Sequence, residues 1–143
     1  MDRLDLLPIL EDRKSLLQAR VEESLRRNVL HNTGRMASLR QLPEVSRRVV
    51  EMLFQDIAGV LQAEEGSRQI REWVRLGLGA RSAIEALGVL AQTLLEILDE
   101  RDFRTLAPHL EQHRSWWVLN LVEARTQDAI AEFERTYRGL SAA

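Results

Sequence analysis

The pentapeptide His109-Leu110-Glu111-Gln112-His113 is the sharpest concentration of chemistry-bearing side chains in the chain. Histidines four residues apart share one face of a helix and together can hold a metal ion. A zinc-protease helix needs glutamate directly after the first histidine. Here Leu110 holds that place and Glu111 comes second. Spacing fixes no third ligand, because acidic residues are spread along the whole chain. His109 or His113 could instead ligate haem. Against both stands the plain alternative of solvated or capping histidines beside a helix start, and the expectation is a chain without metal or cofactor.

The run Gly77-Leu78-Gly79-Ala80-Arg81-Ser82 superficially resembles a glycine-rich phosphate loop. Such a loop needs a preceding strand and a third glycine; this one follows a helical pattern and ends in serine. Arginines cluster at Arg26-Arg27, at Arg47-Arg48 and from Arg35 to Arg40, with Glu22, Glu23, Glu44 and Glu51 among them. Solvated helix faces laced with ion pairs account for these. No zinc-finger spacing or interleaved aromatic stripe points to nucleic acid. Serine catalysis has no nucleophile elbow or serine–lysine motif to support it, and the absence of cysteine removes thiol chemistry and disulfides. The expectation is therefore a protein that is not an enzyme.

The elements that must position these residues are helical from end to end. The 143 residues fit one domain, residues 1–143, with a formal net charge of −2. The N-terminus is acidic and mixed, unlike a secretory signal, and no run approaches the ~20 apolar residues of a membrane span. The expectation is a cytoplasmic protein with no membrane or nucleic-acid partner. Apolar spacings of three and four predict a first helix over residues 4–31, stopped by Asn32 and Gly34. A second, opened by Pro43, runs over 43–63 and ends at Glu64-Glu65-Gly66. A third starts near Ser67 as N-cap. Ser82 and Glu85 read as a capping box, so a break at Gly77 and Gly79 is followed by a restart and a helix to about 99. Gly88, with Ala83, Ala86 and Ala91 nearby, offers a flat surface for a close helix crossing, and Gly77 and Gly79 share that packing role.

Pro108 then suggests a final helix from about 106 or 107 to 139, closed by Gly139. It would run roughly 50 Å, against a radius of gyration of roughly 14–15 Å for a compact domain of this size. Trp116, Leu119, Ile130, Phe133, Tyr137 and Leu140 lie on one heptad frame, interrupted by Glu123 and Thr126; Val118, Leu121 and Val122 form a second stripe. Two stripes point to one face inward and one toward a partner helix, although a bent helix burying both in one core is the alternative. Trp116 and Trp117 point about 100° apart on a helix, so at least one is a candidate for a contact or pocket wall.

Three segments together resemble a known family. LDLLPILEDRKSLLQARVEESLRRN resembles the opening helix of the N-terminal sensor domains of stressosome (RsbR-type) and related bacterial signalling proteins. RQIREWVRLGLGARSAIEALGVLAQTLLEIL resembles their central helices, and SWWVLNLVEARTQDAIAEFERTYRGL their long final helix. The resemblance implies an all-α, globin-like domain of about five to seven helices that binds no haem. It also implies a homodimer formed through the final helix, relaying a signal to a downstream effector, typically a STAS domain. The sequence stops at Ala143 without an effector, so the expectation is an excised domain or a stand-alone relative. The alternative expectation is a haem- or small-ligand-binding globin-like sensor using His109 or His113.

Overall fold

The computed structural model describes residues 2–33 and 40–142. Among them the chain is all-helical, without a strand, and ends in a long helix. A 3-10 turn (Arg3–Leu6) leads into α1 (Leu7–Asp12) and α2 (Lys14–Arg27), followed by a second 3-10 turn (Val29–His31). Then come α3 (Leu42–Ala58), α4 (Ala63–Arg75), α5 (Ala80–Ile97) and α6 (Glu100–Ala142).

The expected single helix over residues 4–31 is broken at Arg13, where φ is −109° and ψ is 7°. Its buried stripe of Leu6, Leu10, Leu17, Val21 and Leu25 explains why. On an unbroken helix Leu6 and Leu25 would point about 100° apart; the break lets both halves face one core. The expected stop at Gly34 lies outside the described residues. So does all but Arg40 of the Arg35–Arg40 cluster.

Pro43 opens α3 as expected, in its first turn. The helix ends at Ala58, not at 63, because Gly59 adopts φ 76° and caps it in the left-handed conformation. Helix α4 begins at Ala63, so Ser67 lies inside it and caps nothing. The break at Gly77 and Gly79 is present. Its close neighbour is the backbone of residues 31–33 rather than another helix. A Cβ on Gly77 would sit 1.8 Å from the Thr33 carbonyl oxygen, and one on Gly79 1.9 Å from that of His31. Thr33 donates its N–H to the Gly77 carbonyl at 2.8 Å, and the Gly79 N–H reaches Asn32 Oδ1 at 2.9 Å. Gly79, not Ser82, is the N-cap of α5. Ser82 is buried with no partner for its hydroxyl, and Glu85 pairs with Arg81, so the capping box does not form.

Helix α6 starts well before Pro108. Asp99 caps it, accepting the Asp102 N–H at 2.8 Å on its side chain, and the helix then runs through both Pro108 and Gly139. Forty-three residues make it about 65 Å long. Helix α2 packs on α3 and α5, while α4 lies along α6, which also closes over α3 and α5. Where α4 crosses α6, the glycine that allows close approach is Gly66: a Cβ there would lie 2.6 Å from the Trp116 ring. Gly88, expected at such a crossing, has nothing within 4 Å of an added Cβ. The arginine faces of α2 and α3 are laced as expected, Arg26 to Glu22 and Arg47 to both Glu44 and Glu51. The Arg47 hydrogen bond holds the Glu44 carboxyl below its ordinary range.

Gly66 and Gly88, both inside helices, should therefore respond to alanine with opposite signs. Gly88→Ala should stabilise by about 0.5–1 kcal/mol through helix propensity. Gly66→Ala should destabilise by about 1–3 kcal/mol by overpacking against Trp116. Urea unfolding midpoints measure both, and the same sign for the pair would contradict this assignment of the crossing.

Candidate functional site

Helices α3, α4 and α6 meet in a buried polar–aromatic chain. His113, 2% exposed, points from α6 toward α3, with Nδ1 2.6 Å from Asp56 Oδ2. One turn on, Trp117 donates its indole N–H to His113 Nε2 at 3.2 Å. Trp117 is buried and stacks on Trp73 of α4, ring centroids 5.9 Å apart at 14°. Trp116 is half-buried, lies edge-on to Trp117 and tilts against the His113 ring at 5.6 Å.

The partners fix the tautomer. An indole N–H can only donate, so Nε2 must present its lone pair; the proton then sits on Nδ1 and is donated to the Asp56 carboxylate. Both ring nitrogens of a buried neutral imidazole are thereby satisfied, the condition for burying it without penalty. Asp56 is partly solvated, which lets it stay an acceptor at the rim of the chain.

This arrangement bears directly on the two histidines singled out above. His113 offers no free nitrogen to a metal or haem iron. His109 is half-buried on the same helix. Among the described residues no three histidine, aspartate or glutamate side chains gather in a way that could hold a metal ion. Asp56 was invisible to sequence reasoning: it stands 57 residues from His113, and only the packing of α3 on α6 joins them. In the sequence Gly66 reads as a helix stop, and its role under Trp116 has no local signal.

Beside this chain a cavity of about 260 Å³ opens between α3, α5 and α6. Leu53, Ile84, Leu87, Leu90 and Leu110 form most of its wall, Gly88 borders it, and His113, Glu111 and Arg114 also line it. The rest of the expected contact stripe lies further along α6. Leu119, Ile130, Phe133 and Tyr137 are 70%, 54%, 70% and 63% exposed, so none is used by the core. The Leu140 side chain lies outside the described residues. Of the second stripe, Leu121 is buried, Val118 half-buried and Val122 exposed.

Replacing Trp117 by phenylalanine keeps the ring and removes the donor. The loss should be about 1–2 kcal/mol of unfolding free energy, the usual cost of an unpaired buried acceptor. Long-range ¹⁵N NMR of the intact protein should show His113 protonated on Nδ1 alone; a proton on Nε2 would break the chain as described. The chain matches no family model, no curated protein and no solved structure.

Proposed function

We propose that this chain is a non-enzymatic sensory or regulatory domain of a bacterial signalling protein of the stressosome type. In this reading it is cytoplasmic, globin-like and haem-free. It pairs with a second copy along α6 and relays its state through that helix to an effector such as a STAS domain. Among the described residues no helix is long and apolar enough to cross a membrane.

The observation that carries the reading is the exposed apolar face of α6. Ile130, Phe133 and Tyr137 continue the heptad frame of Leu119 on the solvent side, and the Phe133 and Tyr137 rings stack at 6.4 Å. A second copy of the same stripe is its simplest cover, since a heptad frame is self-complementary in a two-helix seam. From residue 125 to 139 every described side chain on α6 is exposed, so this half of the helix is available to a partner. The first half is locked to the body through His113 and Trp117. A small shift of the core would reach the exposed half as a shift or rotation of one rigid element.

Sedimentation at tens of micromolar should give a dimer. Ile130→Glu combined with Phe133→Glu should weaken association roughly tenfold or more. Both sites are exposed in the monomer, so helicity should not change. A wild-type chain that sediments as a monomer overturns the pairing.

A further inference from the structure

The cavity between α3, α5 and α6 has features that the packing of the helices does not require. Gly88 lies inside α5, where glycine costs helix stability relative to alanine. Three other glycines are each matched to a close neighbour, Gly66 to the Trp116 ring and Gly77 and Gly79 to the 31–33 backbone, while Gly139 lies on the exposed end of α6 with nothing within 4 Å. At Gly88 an added Cβ would meet nothing within 4 Å. The residue keeps room open beside a volume of about 260 Å³ lined by leucine and isoleucine.

Two side chains of the lining are charged and unspent. Glu111 and Arg114 both border the cavity, both are exposed, and neither has a hydrogen bond or ion pair among the described residues. They stand one turn apart on α6, which places their Cβ atoms about 5–6 Å from each other. A small space with an apolar wall, one cation and one anion at that spacing is complementary to a zwitterion with an apolar tail. We propose that this cavity binds an α-amino acid with an apolar side chain. The ligand carboxylate lies on the Arg114 guanidinium, whose planar fork suits it. Its ammonium lies on Glu111, and its side chain enters between Leu53, Leu87 and Leu110. The site goes beyond the pairing of α6 and does not depend on it.

The occupant would touch the turn of α6 that carries His113, so its arrival reaches the Asp56–His113–Trp117 chain directly. Tryptophan emission therefore offers a readout alongside heat-capacity or NMR titration.

The test titrates the full chain with L-leucine and L-phenylalanine. Each is compared with the analogue lacking the ammonium (4-methylpentanoate, 3-phenylpropanoate) and the one lacking the carboxylate (3-methylbutylamine, 2-phenylethylamine). At least one amino acid should bind more tightly than both of its analogues, by about threefold for each exposed charge pair. Arg114→Gln should reduce the amino acid to the level of its amine, and Glu111→Gln to the level of its carboxylate. Gly88→Leu should fill the cavity and abolish binding while circular dichroism shows the helices intact. Absence of binding by every compound overturns the proposal, and so does equal binding of an amino acid and its analogues. Sedimentation with and without ligand separates this site from the pairing: binding to a chain that stays monomeric keeps the cavity and removes the dimer.

Discussion

A buried neutral imidazole must find an acceptor on one side and a donor on the other. The helices of this protein are arranged around that requirement. Asp56 supplies the acceptor from α3, and Trp117 supplies the donor from the same helix as His113. Trp73 packs the donor in place from α4. Three helices are thus tied by one chain of contacts, with geometry set by hydrogen-bond direction and ring stacking rather than by apolar area alone. The crossing that lets Trp116 and Trp117 reach their positions depends in turn on Gly66, where the side-chain hydrogen leaves room for the Trp116 ring.

Helix α6 has three successive duties along its length. Its early turns, around Leu110 to Arg114, wall the cavity. The next turn, His113 to Trp117, is anchored in the body. The distal turns present Leu119, Ile130, Phe133 and Tyr137 to solvent. A continuous hydrogen-bonded helix is stiff, so these regions cannot move independently. That physical linkage supports a relay more than any single residue does. Pro108 lies before all three and removes one backbone donor near the start of the helix, leaving the rest of the ladder to run unbroken.

Much of the helical frame was legible in the sequence. Apolar spacing located the core stripes of α2, α3 and α5. Pro43 marked a helix start, and Gly77 with Gly79 marked the break. Where the structure departs from the local pattern, the causes are local. Side-chain caps at Ser67 and Ser82 suggest helix starts, but the caps are the backbone of Gln62 and Gly79. Gly59 ended α3 earlier than the apolar pattern implied, because a left-handed cap overrides helix periodicity. Pro108 suggests a helix start, whereas the side chain of Asp99 already caps α6 ahead of it. The candidate site is the least legible part: the sequence offers His113 as a solvated or capping histidine, or alternatively a ligand, and nothing in it points to Asp56.

What the sequence determined by itself is what repeats along the chain: an all-helical protein, rich in arginine–glutamate pairs, with a final helix longer than its body and an apolar stripe to spare. Periodicity and capping act over a few residues, so one strand of sequence carries them. What only the tertiary structure decided is which side chains meet. The pairing of Asp56 with His113, the seat of Trp116 on Gly66, and the open space beside Gly88 each depend on helices far apart in sequence. Glycine looks alike at residues 66 and 88 in the sequence. Packing gives one a ring to accommodate and leaves the other facing a cavity, because close approach is a property of two surfaces and not of one.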